Sequence, residues 1–420
     1  MLVAGCGTYL LWNASGNDTK PSKNRDGGAA AGSLAWKKTA RTEPSKNSDY
    51  APGVWFTATT VVKPEPDMVT SYDLRSGTKQ WSLVLSGTLC AASRDSDEGR
   101  VFLAVEIDGM CDTVVAVDIE RGVQLWSDRV AASAPDGPAA DDFRRAKRRV
   151  PATVSVSGGI GLIAWASGGK AFRLSDGKVA AALPGEAPCG ETGTIGGTQF
   201  LIQRSCEGQP PVVRAFDPKS PERPRWSWQG VKGESVEGML SAHPVVLLLR
   251  DTTAHSAHLV TLEDENGKER SRIELRRDHA GLECSSSMSR CPEYLINGDI
   301  AYIAGKGATT AYDLGTGRER WTYKADANRT ALPVAVNGGH VAVYIPATPE
   351  RVGELTSVAA ATGKLAATVR HSPDLRTAEW HLAHGQSATA HLQRGRLLLV
   401  NEGGLESRDS EVVVAVTATR

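Results

Sequence analysis

One nine-residue pattern returns along the chain and constrains its fold more than any other feature. It reads Asp73-x-x-x-Gly77-x-x-x-Trp81, Asp118-x-x-x-Gly122-x-x-x-Trp126 and Asp313-x-x-x-Gly317-x-x-x-Trp321. Worn copies sit around Gly177, Pro221, Gly267 and Gly363. Successive turn positions, 77, 122, 177, 221, 267, 317 and 363, are separated by 44 to 55 residues. A period of that length marks a repeat array, in which each unit buries its apolar face only against its neighbours.

The chemistry of one copy predicts its shape. An apolar run such as Thr113-Val-Val-Ala-Val117 or Ala308-Thr-Thr-Ala-Tyr312 leads into each Asp. A short strand follows each Gly and ends on Trp. This is a β-hairpin, with Gly supplying the positive φ of the turn and Asp or Ser bonding the turn's own backbone. The Trp offers a large apolar plate that seals the gap to the next sheet. Two earlier strand signals precede each hairpin, as at Arg100–Val105 and Asp299–Ile303. Four strands in a period of about 45 residues describe a β-propeller blade.

Counting fourth strands gives the number of blades. They end near Trp81, Trp126, Ala181, Trp226, Ser271 and Trp321, with a seventh near Ala367. Trp36, in Ser33-Leu-Ala-Trp-Lys-Lys38, is an eighth with no strands before it. At the other end, Arg396–Val400 and Glu411–Val416 look like inner strands with no fourth strand to follow. Pairing the first strand with the last sheet closes a ring and removes two exposed edges. The expectation is an all-β, eight-bladed propeller of four-stranded antiparallel blades, with seven blades as the alternative because the copies at Gly177 and Gly363 are weak.

The Asp-x-x-x-Gly-x-x-x-Trp copies resemble the pyrroloquinoline-quinone-like (PQQ-like) propeller repeat, over residues 32–420. That superfamily holds quinoprotein alcohol dehydrogenases and the outer-membrane β-barrel assembly lipoprotein. With its paired cysteines, the chain is more similar to membrane-anchored, extracytoplasmic PQQ-like proteins of high-GC Gram-positive bacteria. The repeat specifies the fold and is nearly silent on function, since one scaffold hosts many functions.

Composition bounds the rest. With 48 basic and 48 acidic residues among 420, the chain gives no reason to expect nucleic acid as a partner. Of seven cysteines, Cys6 stands alone and six form local pairs: Cys90 with Cys111, the latter read in the turn after the strand Val101–Val105, Cys189 with Cys206, and Cys284 with Cys291. Six cysteines allow 15 connectivities. Same-blade pairing costs least geometrically, and such disulfides imply an oxidising compartment. The stretch Met1–Trp12 is apolar but shorter than the roughly 20 residues a bilayer requires. It reads as the remnant of a transmembrane anchor or signal segment, or as a lipobox, Val3-Ala-Gly-Cys6, with Cys6 lipidated. Residues 13–31 read as a flexible linker and 32–420 as the propeller. All of this places the ring outside the cytoplasm, attached to the membrane.

Enzyme chemistry finds little purchase. Quinoprotein relatives resemble one another in an adjacent Cys-Cys pair, a Trp over the quinone, and Asp, Glu and Asn around calcium, and no Cys-Cys dipeptide occurs here. His255-Ser-Ala-His258 and His381-Leu-Ala-His384 have a spacing that would place two rings on one helix face, but the context reads as strand and loop. No catalytic residue, metal or cofactor is therefore expected. The sharpest charge feature is Asp141–Arg149, where Arg144, Arg145, Lys147, Arg148 and Arg149 fill five of six positions. It is the best ligand-binding candidate, suited to anionic envelope material, with a solvated loop as the plainer reading. The expected function is a non-enzymatic, monomeric, membrane-tethered scaffold for an envelope protein or polymer. The alternatives are a quinone-binding enzyme of the PQQ-dependent dehydrogenase type and an extracellular sensor module of a larger membrane protein.

Overall fold

A computed structural model describes residues 32–40, 51–130, 153–165, 168–184, 190–206, 208–251, 253–276, 279, 291–326, 328–384, 388–403 and 410–418. They form eight four-stranded antiparallel sheets, and seven of these are consecutive in sequence from the inner strand to the outer. Blade 1 illustrates the order, with strands Trp55–Phe56, Thr60–Glu65, Met68–Asp73 and Lys79–Val84. The inner strands of blades 2 to 8 begin at Thr88, Thr153, Gly190, Glu234, Tyr294, Leu332 and Ala388. The ring has eight blades, and the seven-blade alternative falls away.

Blade 8 is assembled from both ends of the chain. Its inner three strands are Ala388–Gln393, Arg396–Asn401 and Glu411–Thr417, and its outer strand is Leu34–Thr39. Leu34 pairs with Val416 and Lys38 with Val413. Gly32 then reaches over to blade 7: its N–H donates to the Arg370 carbonyl at 2.6 Å, and its carbonyl accepts from Ser372 at 2.7 Å. The same short segment thus completes one blade and ties it to its neighbour.

The apolar core is eight clusters, one at each interface between blades. At the junction of blades 2 and 3, Phe102, Trp126 and Phe172 pack as tilted rings with centroids 5.7–6.1 Å apart around Val154 and Leu174. Alternation drives this arrangement. Strand side chains point to opposite faces of a sheet, and the middle strands are apolar on both, as in Val101–Val105 and Val245–Leu249. Each sheet therefore buries both faces, one against each neighbour.

The repeat pattern supplies the lock between blades. In each Asp-x-x-x-Gly turn the glycine N–H donates back to the first residue, as Gly122 does to the Asp118 carbonyl at 2.9 Å. The Asp73 carboxylate accepts from the N–H groups of Arg75 and Ser76 at 3.0 and 2.8 Å. Backbone donation, from Ser76 to Asp73 and from Thr316 to Asp313, holds both carboxyls below the usual carboxylate range. Beneath five of these turns lies the Trp of the preceding blade. Trp36 lies under Gly77, Trp81 under Gly122, Trp126 under Gly177, Trp226 under Gly267 and Trp321 under Gly363. The indole N–H closes the contact, donating to Leu74, Leu174, Asp264 and Ala360 carbonyls at 2.7–3.1 Å.

Three details differ from the sequence reading. Pro221 does not sit in a turn. Asp217 pairs directly with Ser220, and the hairpin is two residues long, so Pro221 already lies in the outer strand Ser220–Gln229. Cys111 lies inside the strand Met110–Asp118 rather than in the turn before it. His381 and His384 belong to an α-helix, α1 (Arg376–His384), inserted between blades 7 and 8 after the 3-10 turn Pro373–Leu375. Leu375 and Leu382 anchor that insertion in the core between these blades.

Removing residues 1–40 should open the ring. The loss includes the ladder to Glu411–Thr417 and the buried indole of Trp36, the latter alone worth about 3–5 kcal/mol. Chemical denaturation followed by tryptophan fluorescence should show a markedly lower midpoint. An unchanged midpoint would contradict closure by this strand.

Candidate functional site

Antiparallel order puts the turns between first and second strands, and between third and fourth, on one face of the ring. The connections between blades lie on the other face. On the turn face, non-neighbouring blades meet. Arg94 of blade 2 donates from Nη1 to the Leu240 carbonyl of blade 5 at 2.8 Å. In a ring of eight, such a bond crosses the axial opening. A cleft of about 290 Å³ remains beside it, bounded by Arg94, Asp95, the 196–198 turn of blade 4, and Ser241, Ala242 and His243 of blade 5. Its charged groups are already engaged. Asp95 lies 3.9 Å from Arg94, and His243 Nδ1 bonds Asp264, which also accepts from Val245 N–H at 3.0 Å.

A quinone with several carboxylates would require an array of cations there, and its calcium ion a set of acidic ligands. The cleft offers one arginine beside an aspartate. Among the described residues no group of three or more His, Cys, Asp or Glu side chains could hold a metal ion. The residues lining this cleft therefore do not fit a quinone–calcium pair.

The connection face carries the buried charge. Between blades 8 and 1, Lys63, Glu65 and Glu402 are all buried. Lys63 Nζ donates to the Ala51 carbonyl, and Glu402 accepts from Gly53 N–H at 2.9 Å and Thr389 Oγ1 at 2.7 Å. Burial pushes the Lys63 ammonium down to about 8, while Glu402 and Glu65 pull it back upward. Between blades 7 and 8, the buried His371 Nδ1 bonds Glu379 of α1, and Tyr344 stacks on the His371 ring at 6.1 Å. Arg329 beside them donates to Val352 at 2.8 Å and pairs with Glu354 at 3.2 Å. Burial raises the Tyr344 phenol well above its ordinary value, and Glu379 adds to the effect. Both networks flank the closing blade, and neither was singled out from the sequence.

Glu293 and Tyr294 open blade 6 on this same face. Burial raises both groups, and Glu293 adds to the rise at Tyr294.

The sequence-predicted sites fare unevenly. Cys90 and Cys111 form a disulfide with Cα atoms 6.2 Å apart, inside the range such bonds allow. Cys206 and Cys291 are also disulfide-bonded. Their expected partners, Cys189 and Cys284, lie outside the described residues, as do Cys6 and the basic run Arg144, Arg145, Lys147, Arg148 and Arg149. His255 occupies a turn at φ +54° and His258 the strand Ala257–Leu262. No helix among the described residues is long and apolar enough to cross a membrane.

Comparison with known proteins agrees on architecture. The family described as outer membrane protein assembly factor BamB matches residues 27–192 and 255–415. No curated protein matches. A computationally designed protein, Ika8, shares 12% identity over 90% of this chain and 99% of its own, with a TM-score of 0.58. BamB from Moraxella catarrhalis shares 13% over 91% and 98%, with a TM-score of 0.52. Quinohemoprotein alcohol dehydrogenase from Comamonas testosteroni shares 11% over 94% and 77%, with a TM-score of 0.50. At these identities the likeness is one of fold.

The lowered Lys63 value has a measurable consequence. Over the interval from about 8 to 10.5 the unfolded chain binds this proton and the folded chain does not. Folding is therefore penalised fully below pH 8, by about 3 kcal/mol, and the penalty fades as pH rises towards 10.5. Stability of the wild type relative to Lys63→Met should rise across that window in denaturant titrations. A difference that stays flat from pH 7 to 10.5 would remove Lys63 as a buried titrating group.

Proposed function

This chain belongs to the PQQ-like β-propeller family, and we propose that it is a non-enzymatic scaffold that binds an envelope protein or polymer outside the cytoplasm. The observation that carries this reading is the Arg94–Leu240 bond across the axial opening. A cofactor enzyme needs that space for its reacting centre, whereas a scaffold needs only a rigid ring. The buried charges support the same view, since Lys63, Glu402, His371 and Glu379 are engaged in holding blade 8 in place.

Location is part of the proposal. The bond between Cys90 and Cys111, and the bonded state of Cys206 and Cys291, favour an oxidising compartment. The apolar stretch 1–12 and polar linker 13–31 suit a membrane tether, through a transmembrane segment or through lipid on Cys6. BamB, named as an assembly factor, lends the idea of a protein partner in general terms.

Two measurements test this function. Calorimetric titration of the purified chain with pyrroloquinoline quinone and calcium should give no binding, and dye-linked alcohol oxidation should stay at background. Stoichiometric quinone binding with turnover would overturn the scaffold reading. Reversing the charges of Arg144, Arg145, Lys147, Arg148 and Arg149 should weaken adsorption to anionic envelope fragments at low salt, with the difference shrinking as salt rises. Equal adsorption by both proteins at low salt would exclude the run as a contact.

A further inference from the structure

Every blade ends in an outer strand whose far edge pairs with no described strand. Such an edge is a template for another strand, and proteins blunt it with charge or proline. Seven of the eight carry charge, from a single Arg370 in blade 7 to Glu269, Arg270, Arg272 and Glu274 in blade 5. Blade 4 adds Pro221 and Pro224 to its charges. Blade 3 is the exception in charge. Its outer strand, Val179-Ala-Ala-Ala-Leu-Pro184, carries no charged residue, and its sole proline is the last residue. Ala180 and Ala182 are exposed, and Val179 is 51% exposed. The inner edge of the strand is fully used, paired with Gly168–Arg173 from Gly168↔Pro184 to Phe172↔Val179.

We propose that the outer edge of blade 3 is a docking strand, which takes an extended, uncharged segment of a partner protein by strand addition. This rests on the scaffold reading and names its contact. Charge argues for the chemistry of the occupant. A charged segment laid along Val179–Leu183 would lose solvent and meet no counter-charge from the strand itself, whereas an uncharged one meets its small apolar side chains and backbone. At the turn end of the strand, Arg173 and Lys178 surround the lone carboxylate of Asp176 at 2.5 and 4.0 Å, which leaves one positive charge in excess. An acidic residue at the matching end of the segment fits that excess. Size argues against a second copy of the ring. Two convex rims meeting along six residues, about 20 Å, fall far short of the roughly 1,200 Å² a stable dimer buries. A short segment that orders on binding needs no more than the edge itself.

The test uses the purified full chain and a probe heptapeptide of alternating threonine and valine ending in aspartate. Hydrogen exchange is followed by mass spectrometry with and without peptide, on wild type and Ala182→Lys, whose unchanged melting temperature certifies the fold. Saturating peptide should slow exchange of residues 179–183 about tenfold in wild type. It should leave the blade 5 strand Glu269–Glu274 unchanged and lose its effect in the variant. No protection at blade 3, equal protection at blade 5, or protection that survives Ala182→Lys would each overturn the proposal. Cross-linking in envelope fractions separates this from the broader reading. If rim-placed cross-linkers capture the same partner from wild type and Ala182→Lys alike, the docking strand fails and the scaffold stands. If neither protein is cross-linked to any envelope component, both fail.

Discussion

The contact on which the ring depends is a tryptophan lying flat beneath the next blade's glycine. A β-carbon placed on Gly122 would lie 2.3 Å from Trp81, and one on Gly77 would lie 2.6 Å from Trp36. Only glycine allows the turn to descend that far, and these turns also require its positive φ. Each lock joins blade n to blade n+1, so the array is cooperative around the ring and cannot bury its faces until the ends meet. Where the Trp is lost, the chain improvises. Ser271 donates to the Leu314 carbonyl at 2.5 Å where an indole would have done so. The bonded Cys206 and Cys291 fall in blades 4 and 6, which follow two of the three junctions without Trp.

The ends meet at blade 8, and there the protein uses buried charge. Lys63 with Glu402 on one flank, and His371 with Glu379 on the other, are costly to desolvate unless fully bonded. Such groups tolerate only one register. A one-residue slip of the outer strand Leu34–Thr39 would turn its inward side chains out, and Gly32 would no longer sit between Arg370 and Ser372. Closure by a strand that arrives from the far end of the sequence is thereby made specific. The axial opening, meanwhile, is crossed by Arg94.

Much of the fold was legible because it is local. Asp, Gly and Trp report a turn and its plate within nine residues, and alternation reports the strands. What was not legible depends on distance or on shortened motifs. Pro221 misled because the hairpin beside it had contracted to two residues, which removes the glycine that marks the others. α1 was missed because a single nine-residue helix in a connector carries too few turns to show a period. Lys63 and Glu402 lie more than 300 residues apart, and Arg94 finds its acceptor 146 residues away. A lysine inside Thr60-Val-Val-Lys-Pro-Glu65 is the one local hint, since an apolar strand interior rarely holds one without a buried partner.

The most direct test of the lock compares two alanine substitutions that share a backbone and differ in what lies beneath. Gly122 and Gly317 adopt φ +69° and +71°. Gly122 lies against Trp81, while the nearest atom to a β-carbon on Gly317 is 3.6 Å away because Ser271 replaces the indole. Left-handed strain alone, about 1–2 kcal/mol, should be common to Gly122→Ala and Gly317→Ala. Denaturant titration should find Gly122→Ala costlier by at least about 2 kcal/mol, the expense of displacing a well-packed ring. Equal losses in the two variants would contradict the central role given to the Trp–Gly contact.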